Sequence, residues 1–478
     1  MRAVFYIIGA LLLFLSATML LPIIVAWIYG EDDLIPLAIS AGITAVVGLF
    51  LIFTCRVKYE LRLREGFTLV ALTWISFAFL GALPFYMSGY IPSYTDAFFE
   101  TMSGFTTTGA SILSDIERLP HGLLFWRSFT HWLGGMGIIL LSLAILPLLG
   151  VGGMQLYKAE VPGPEHDKLR PRIKDTAKIL WEVYLLITAV EIIALYIAGM
   201  DFFDSICHTF GTMATGGFST KNSSIGYYNN AWVDYIIIVF MIIAGINFSL
   251  HYKALRGKLT IYGRDPETKF FLFLIMIGAL VIIGDLFFSY NYSIVEGIRK
   301  GLFQTVSIIT TTGYGTADYE KWGSSAQIIL FIFMFLGGCA GSTGGAMKIM
   351  RSLVLLKFAI NEIKRLIHPN AVLSIRIGQR AIPREIVGNI AGFFLIYTGI
   401  FILGVICMSL LGLDFLSSFG AVAASIGNIG PGFGSVGPTD NYAHIPLLGK
   451  WILSILMLVG RLEIYPVIIF LTPTFWKE

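Results

Sequence analysis

The sequence TTTGYGT at residues 310–316 is one of four glycine-centred segments that decide the fold of this 478-residue chain. The other three segments read TTTGAS at 106–111, ATGGFS at 214–219 and GNIGPG at 427–432. Each segment follows a moderately apolar stretch that is too short to cross a membrane and that lies between two long apolar runs. We interpret this recurrence as four copies of one structural unit.

Glycine also has a simpler explanation in membrane proteins, where small residues allow helices to pack closely. The chain contains 51 glycines, and close packing accounts for a cluster such as GGMG at 134–137. It does not account for four Thr/Gly segments at the same place in four units. We therefore prefer the repeat interpretation.

The composition excludes a soluble enzyme of this size. The chain is 56% apolar and only 13% charged, with a mean hydropathy of +0.78, whereas soluble domains contain about 25% charged residues. The net charge of +3 does not favour nucleic-acid binding. The four cysteines form no CxxC pair, so neither a disulfide framework nor a zinc site is expected.

Ten apolar runs are long enough to cross a membrane as helices. The first run follows Arg2 and far exceeds the apolar core of a signal peptide, so we expect it to be retained. The sequence predicts an all-α integral membrane protein with ten transmembrane helices: a two-helix leader, then four pseudo-symmetric helix–pore-loop–helix repeats around one ion path. The predicted helices are 3–29, 35–54, 67–89, 123–149, 178–199, 231–251, 269–289, 325–356, 385–411 and 449–472. The predicted divisions are the leader at 1–66 and the repeats at 67–150, 151–267, 268–383 (with a broken second helix) and 384–478.

Lys and Arg residues concentrate in alternate loops, a pattern typical of the cytoplasmic side of a membrane. The loops 55–66, 151–178, 252–269 and 351–384 hold 22 of the 33 cationic residues. We therefore expect both termini to be cytoplasmic. The connections that contain the Thr/Gly segments are expected on the outer side of the membrane.

The Thr/Gly segments favour a cation path. Non-helical backbone at membrane depth must be buried or line a watery path, because unpaired N–H and C=O groups are costly in lipid. Glycine permits the dihedral angles that turn successive carbonyls towards one axis, and potassium channels bind their ion with such a ring of carbonyl oxygens. The stretch before each segment is expected to be a short helix whose partially negative C-terminus favours the cation. The expected caps of these helices are Asp96, Asp204 and Asp414, with Ser293 or Glu296 in the third unit.

Two further strings, together with TTTGYGT and the four-unit layout, carry a resemblance to a known family. One is GGCAGSTGGAMK at 337–348, and the other is GRLE at 460–463, followed by TPTFW at 472–476. Over its whole length the chain resembles bacterial Trk-type potassium uptake proteins of the TrkH/TrkG kind, within the Trk/Ktr/HKT superfamily of potassium transporters. This resemblance implies a homodimer in the bacterial inner membrane, no cofactor in this chain other than K⁺ as bound and transported ion, and a cytosolic TrkA-like ring protein that binds nucleotides.

The resemblance also implies a potassium filter in the four segments. The central glycines are taken as Gly109, Gly216, Gly313 and Gly430, each with the two residues before it. The expected filter residues are therefore Thr107, Thr108, Gly109, Ala214, Thr215, Gly216, Thr311, Thr312, Gly313, Asn428, Ile429 and Gly430. Because these sets are unequal, we expect fewer well-formed sites than in a symmetric channel, with Rb⁺ tolerated.

A gate is expected in the eighth span, where 337–345 contains five glycines. A glycine-dense stretch holds a helix poorly, and the family has an intramembrane loop below the filter at this place. The expected gate residues in the loop are Gly337, Gly338, Gly341, Ser342, Thr343, Gly344 and Gly345. The alternative is a packing crevice or a passive kink.

Arg461 lies in the last span, where a guanidinium is costly and usually faces a partner or a watery cavity. The family interpretation makes it a positive barrier below the filter. The alternatives are a local pair with Glu463 or extension of the side chain towards the cytoplasm. Lys348 either lines the inner cavity with Arg461 or marks the cytoplasmic interface.

The sequence thus predicts a potassium-translocating subunit that conducts inward under the membrane potential. No phosphate-binding loop is present, so nucleotide control is expected from the partner, with loops 151–178 and 252–269 as docking surfaces. A proton- or sodium-coupled symporter remains an alternative. A membrane-embedded enzyme is the other alternative, although the sequence shows no nucleophile–base or metal constellation.

Overall fold

The structure is a computed structural model that describes residues 1–56, 63–145, 173–290, 292–371, 373–378 and 380–476. Helices dominate it, as the composition predicts. The longer ones are Arg2–Thr18, Leu20–Tyr29, Leu34–Thr54, Leu63–Gly81, Tyr94–Phe105, His121–Ile145, Ile173–Ile197, Phe202–Met213, Ala231–Gly245, Pro266–Tyr290, Ile294–Ile309, Ser324–Leu336, Ile349–Ile367, Arg384–Leu410, Phe415–Gly427 and Leu447–Arg461. Shorter ones are Leu83–Met87, Phe248–Leu255, Ile261–Arg264, Tyr465–Ile468 and Pro473–Trp476, with 3₁₀ turns at Ser224–Tyr228, Tyr319–Lys321, Gly434–Val436 and Ile469–Leu471.

Six helices in the described part of the chain are long and apolar enough to cross a membrane. They coincide with six of the ten predicted spans and are Arg2–Tyr29, Leu34–Thr54, Arg64–Met87, Thr176–Ile197, Pro266–Tyr290 and Arg384–Leu410. Their outer faces carry large apolar side chains that remain exposed, such as Phe53 at 76% and Leu410 at 81%. Such faces are expected where a protein meets lipid rather than water.

Three other predicted spans are interrupted. The predicted helix 231–251 ends at Gly245 and restarts at Phe248 after a bend of 105°, with Asn247 capping the new helix. The predicted helix 449–472 ends at Arg461, because Glu463 and Ile464 take left-handed φ values of 56° and 64°. The predicted helix 325–356 is broken between Leu336 and Ile349, as its glycine content indicates. For the first two, the prediction of a continuous span is wrong.

The remaining predicted span, 123–149, begins as the helix His121–Ile145, and its last residues lie outside the described part of the chain. Parts of the predicted basic loops 55–66 and 151–178 also lie outside it, as does the predicted boundary at 150/151. The loop 351–384 contains a two-stranded antiparallel hairpin, β1 (Ile375–Ile377) and β2 (Arg380–Ile382), which pairs Ile375 with Ile382.

The two leader helices pack against each other through glycines. A Cβ placed on Gly9 would lie 2.8 Å from the carbonyl oxygen of Gly48, and one on Gly48 would lie 2.9 Å from that of Gly9. Small residues allow helix backbones to approach this closely, and the resulting van der Waals packing favours helix association in lipid. The glycine-packing explanation is therefore correct for this pair.

The turn after the first leader helix attaches the leader to the helix His121–Ile145. Glu31 Oε2 accepts the backbone N–H of His121 at 2.5 Å, and Asp33 Oδ2 accepts that of Leu123 at 2.8 Å. Glu31 Oε1 also contacts His121 Nδ1 at 2.8 Å. Carboxylates at a helix N-terminus satisfy its free N–H groups and interact favourably with its dipole.

The Asp33 carboxyl is expected to make stability depend on pH. Burial raises its pKa to about 6, with the neighbouring acids Glu31 and Asp32 adding to the rise. Since unfolded Asp has a pKa near 3.9, the folded state holds the extra proton between these values, and its free energy of unfolding falls as pH rises from about 4 to about 6. Asp33→Asn should remove this part of the pH profile when unfolding temperatures are measured in detergent across that range. Parallel profiles for the parent and the variant would contradict the assignment.

Four short helices precede the Thr/Gly segments, as predicted: Tyr94–Phe105, Phe202–Met213, Ile294–Ile309 and Phe415–Gly427. We refer to them as the first to fourth short helices. Their N-cap side chains are Ser93, Asp201, Ser293 and Asp414, each accepting a backbone N–H of the first turn. The predictions of Asp414 and Ser293 are thus correct. Asp96 and Asp204 lie in the first turn instead of at the cap, because Ser93 and Asp201 take that role.

Candidate functional site

The four Thr/Gly segments meet at one small cavity. This cavity has a volume of about 90 Å³, and all four segments contribute a glycine to its lining: Gly109, Gly217, Gly313 and Gly430. These glycines are far apart in sequence and belong to four different repeats of the sequence pattern. The fold therefore brings together what the sequence presents as separate motifs.

The four segments share one backbone conformation. Each has a left-handed residue one or two positions after the end of its short helix: Thr107, Thr215, Thr311 and Asn428, with φ between 50° and 62°. Two residues later comes a left-handed glycine: Gly109, Gly217, Gly313 and Gly430, with φ between 78° and 100°. The residue between them donates its N–H back to the short helix, as in the bond of Thr312 to the carbonyl of Ser307 at 2.9 Å.

This conformation corrects the sequence interpretation of the second segment by one residue. The N–H of Gly216 bonds the carbonyl of Gly211 at 2.8 Å, which makes Gly216 the counterpart of Thr108 and Thr312. The central glycine of the second segment is therefore Gly217. Ala214 corresponds to Thr106 and Thr310 at the end of the helix. Gly216 is also a glycine for a local reason, since a Cβ there would lie 2.7 Å from Cδ2 of His131.

The segments close into a cycle in the order of the chain. A Cβ on Gly109 would collide with the carbonyl oxygen of Gly216, and the equivalent pairs are Gly217 with Thr312, Gly313 with Ile429 and Gly430 with Thr108. Each central glycine thus touches the residue before the central glycine in the next segment. The fourth segment touches the first, so the ring is complete.

The ring presents carbonyl oxygens that accept no hydrogen bond from the part of the chain that the structure describes. Within the described residues, no hydrogen bond reaches the buried carbonyls of the two residues that precede each central glycine. These residues are Thr107, Thr108, Thr215, Gly216, Thr311, Thr312, Asn428 and Ile429. Buried carbonyls almost always have a partner, and eight carbonyls without one, directly before the four central glycines, fit a cation.

The ring has approximate two-fold character. In the first and third segments a hydroxyl pair lies behind the ring, Thr106 with Thr108 and Thr310 with Thr312, each at 2.8 Å. The second and fourth segments lack these hydroxyls. In the fourth, the Asn428 side chain donates to Thr108 Oγ1 at 3.0 Å and to the carbonyl of Met457 at 2.9 Å. An asparagine suits the left-handed position, because its short polar side chain tolerates this conformation.

The broken span places its loop directly against the ring. The N–H of Gly345 donates to Thr311 Oγ1 at 2.7 Å, and the Thr343 hydroxyl donates to the carbonyl of Met213, the last residue of the second short helix, at 3.0 Å. A Cβ on Gly345 would lie 2.5 Å from the carbonyl oxygen of Gly427. The loop 337–348 therefore contacts the ends of several short helices at once.

The predicted gate residues gather around this loop. Gly337 and Gly341 take left-handed φ values of 75° and 72°, and the N–H of Cys339 bonds the carbonyl of Gly245 at 2.8 Å. Gly338 accepts the N–H of Ile349 at 3.0 Å, where the second half of the span begins. The remaining predicted loop residues, Ser342, Thr343, Gly344 and Gly345, are all buried.

Arg461 is buried and bonds the same loop. Its guanidinium donates to the carbonyl of Thr343 at 2.7 Å and to that of Gly134 at 3.2 Å. Glu463 pairs with Arg351 at 2.5 Å, so the alternative of a local Arg461–Glu463 pair is wrong. Lys348 is buried as well and donates to the carbonyl of Gly344 at 2.5 Å. Both cations thus lie on the loop.

Comparison with known proteins identifies the family of the chain. The model of the TrkH family, described as a cation transport protein, matches residues 37–477. The chain belongs to the TrkH family.

Relatives of the TrkH family match the chain along its whole length. TrkH of Escherichia coli K12, named a Trk system potassium uptake protein, is 44% identical over 486 residues, covering 100% of this chain and 99% of that protein. TrkG of the same strain, also named a Trk system potassium uptake protein, is 37% identical with the same coverage. The crystal structure of the potassium transporter TrkH from Vibrio parahaemolyticus matches with a TM-score of 0.92 and 40% identity, covering 100% of this chain and 99% of that one. These proteins are named as transporters, not enzymes, and the chain is accordingly not an enzyme.

Sequence reasoning missed the side chains that hold this TrkH-family ring from outside. A buried ion pair joins Arg127 Nε to Glu100 Oε1 at 2.7 Å, and Arg127 also donates to the carbonyl of Ser219 at 2.9 Å. Glu100 further accepts the hydroxyl of Ser111 and the N–H of Ile112, both at 2.9 Å. The pair thus links the first and second segments. The signal available in the sequence was an acid within a short helix and an arginine within a span, since such groups are costly in membranes unless paired.

Tyrosine hydroxyls form a second set of supports. Tyr314 donates to the carbonyl of His208 at 2.8 Å, Tyr319 to that of Gly432 at 2.7 Å, and Tyr442 to that of Gly430 at 2.7 Å. Each bond joins parts of the chain around the ring. Buried hydroxyls of this kind fix the surrounding backbone because leaving them unpaired is costly.

Proposed function

We propose that this chain is the potassium-translocating subunit of a bacterial potassium uptake system, conducting K⁺ and Rb⁺ inward through the ring of the four segments. The observation that carries the proposal is the closed cycle of left-handed glycines, with eight buried carbonyls that have no hydrogen-bond donor among the described residues. Rings of backbone carbonyls replace the hydration shell of an alkali ion in potassium channels. The names of the relatives, as potassium uptake proteins, support the same ion.

The proposed filter contains the sequence-predicted residues with the corrected second segment. The proposed K⁺ ligands are the carbonyls of Thr107, Thr108, Thr215, Gly216, Thr311, Thr312, Asn428 and Ile429. The central glycines Gly109, Gly217, Gly313 and Gly430 form the outer end of the filter. Compared with the filter residues expected from the sequence, Gly217 replaces Ala214. The short helices add a favourable field, because their C-termini lie at the ring and carry partial negative charge.

The proposed gate is the loop 337–345 together with Lys348 and Arg461. The hydrogen bonds of the loop to Thr311 and to Met213 support this assignment, because they attach the loop to the third segment and to the end of the second short helix. Arg461 adds a positive charge that opposes a cation, and its bonds to carbonyls hold it there. Opening then requires the loop and Arg461 to move.

The proposed architecture has ten spans, as a leader at 1–66 and repeats at 67–150, 151–267, 268–383 and 384–478, in the bacterial inner membrane with both termini cytoplasmic. We further propose a homodimer regulated by a cytosolic TrkA-like ring protein that binds nucleotides. Of the two proposed docking surfaces, loop 252–269 is described by the structure, whereas most of loop 151–178 lies outside the described residues.

The proposal is tested by ⁸⁶Rb⁺ uptake into vesicles that contain the purified full-length chain. We expect uptake driven by an inside-negative potential, with K⁺ competing strongly and Na⁺ weakly. Single-molecule currents in a bilayer would favour conduction over coupled symport, since a coupled carrier turns over too slowly to give them. Absence of Rb⁺ uptake, with intact protein and a maintained potential, would contradict the proposal.

Thr311→Val provides a separate test of the loop as a gate. The Thr311 hydroxyl accepts the N–H of Gly345, and valine would leave that N–H unpaired at a cost of about 1–3 kcal/mol to the closed arrangement. We expect basal Rb⁺ uptake to rise roughly fivefold or more. Thr107→Val is the matched control, because Thr107 occupies the same position in the first segment and its hydroxyl has no hydrogen-bond partner among the described residues. Equal uptake by the two variants would contradict a gating role for the Gly345 contact.

A further inference from the structure

A cavity of about 640 Å³ opens sideways between four long helices and reaches the end of the first short helix. The helices are Arg2–Thr18, Leu63–Gly81, His121–Ile145 and Ile173–Ile197. Its lining includes Phe14, Phe77, Phe105, Met136 and Trp181. We call this cavity the lateral crevice.

Apart from Lys178, the polar side chains that line the lateral crevice are already paired. The Thr73 hydroxyl donates to the carbonyl of Leu69 at 2.7 Å, and the indole N–H of Trp74 donates to the carbonyl of Phe105 at 3.2 Å. The indole N–H of Trp181 donates to the sulfur of Met136. An apolar cavity with few free polar groups does not hold ordered water but binds apolar molecules.

The mouth of the lateral crevice lies at the lipid-facing surface. Phe14 lines it and is 47% exposed, although it belongs to a membrane-spanning segment. Lys178 also lines it, near one end of the span Thr176–Ile197, and its side chain is 77% exposed. Its ion pair with Glu182 is long, at 3.8 Å, and Glu182 is itself exposed, so the pair holds the ammonium weakly.

We propose that the lateral crevice binds an acyl chain of an anionic phospholipid from the surrounding bilayer, with the headgroup beside Lys178. The cavity volume is within the range of small-molecule sites, about 300–1,000 Å³, and the lining matches a hydrocarbon chain. A lysine near a membrane surface attracts anionic headgroups. Acyl chains are also the apolar molecules that reach this mouth at the highest concentration.

The inner end of the lateral crevice reaches the wall of the ion pathway. It is lined by Gly134, whose carbonyl accepts a hydrogen bond from Arg461, and by Phe105, the last residue of the first short helix. A bound acyl chain therefore packs against the backbone that holds both the proposed gate residue and one quarter of the ring. This lipid site is a separate proposal from potassium transport. Its test measures lipid binding and does not depend on transport activity.

The test uses photolabelling of the full-length protein in vesicles of phosphatidylethanolamine and phosphatidylglycerol. A trace of the phosphatidylglycerol carries a diazirine in the middle of one acyl chain, and adducts are mapped by peptide mass spectrometry after illumination. We expect adducts on Phe105, Leu133 and Met136. Their exposed fractions are only 2%, 7% and 6%, so lipids on the outer surface cannot reach them. If the unmodified protein gives adducts only at exposed positions such as Ile193, the proposal is overturned without any variant.

Ala177→Trp fills the lateral crevice from one wall and should lower the adducts at these three residues at least fivefold. The matched control is Val190→Trp, which adds the same side chain at an exposed position of the same helix and should leave the adducts unchanged. Lys178→Gln should reduce labelling by phosphatidylglycerol at least twofold. Unchanged adducts in Ala177→Trp, in protein with a parent-like unfolding temperature, would overturn the site; unchanged labelling in Lys178→Gln would overturn the assignment to an anionic lipid.

Discussion

Gly313→Ala is expected to reduce Rb⁺ uptake about 100-fold or more while the protein still inserts and folds. Gly313 has a φ of 80°, and a Cβ at this residue would collide with the carbonyl oxygen of Ile429 and lie 2.8 Å from Cδ of Pro431. A left-handed alanine costs roughly 1–3 kcal/mol before this collision is counted, and about 3 kcal/mol corresponds to a factor near 100. The atom that the added Cβ would displace is a carbonyl oxygen of the proposed ring. We therefore expect the substitution to impair conduction before it impairs folding.

Gly315→Ala is the matched control for this prediction. Gly315 lies two residues further along the same segment, has no left-handed φ, and a Cβ there would meet only the Cβ of Ser224 at 4.0 Å. Its uptake should remain within about twofold of the parent, since ordinary contact at that distance needs no rearrangement. Parent-like uptake by Gly313→Ala, or equal loss in both variants, would show that the ring geometry does not control transport.

Arg461→Ala is expected to raise basal Rb⁺ uptake. At an effective dielectric constant of 20, a unit charge about 10 Å from an ion opposes it by about 1.7 kcal/mol, so its removal should increase the leak roughly tenfold. The variant also removes the two hydrogen bonds that tie the last span to Thr343 and Gly134. Uptake is measured without any partner protein, so that only the intrinsic gate is observed.

Arg461→Lys separates the charge of this residue from its hydrogen bonds. Lysine keeps the positive charge but cannot reproduce two donors in the fixed geometry of a guanidinium. If electrostatic repulsion dominates, basal Rb⁺ uptake by Arg461→Lys should stay near that of the parent, whereas uptake by Arg461→Ala should rise. A fall in uptake in Arg461→Ala would contradict the barrier.

The sequence predicts the general fold well because its signals are local. Long apolar runs indicate spans without knowledge of neighbours, and six of them appear in the described part of the chain as helical spans that are long and apolar enough to cross a membrane. The glycine density of 337–345 indicates the broken helix for the same reason, since glycine disfavours a helix wherever it occurs. The Thr/Gly segments are also correctly identified as the ends of short helices.

Features that depend on tertiary contacts are harder to predict. The two adjacent glycines of the second segment look alike in the sequence, and the end of the helix at Met213 decides that Gly217 is the left-handed one. The interruption after Gly245 is invisible in an apolar run, because it is stabilised by the cap at Asn247 and by the bond of Cys339 to Gly245. The Glu100–Arg127 pair joins residues of two helices whose approach no local pattern indicates.

The most direct measurement is anomalous scattering from Rb⁺ in crystals of this protein grown or soaked with rubidium. We expect peaks on the axis of the ring, between the carbonyl oxygens of Thr108, Gly216, Thr312 and Ile429 and those one residue before them. Rubidium peaks elsewhere, or an axis without any peak in crystals that bind rubidium at other sites, would contradict the proposal that these four segments carry the ion.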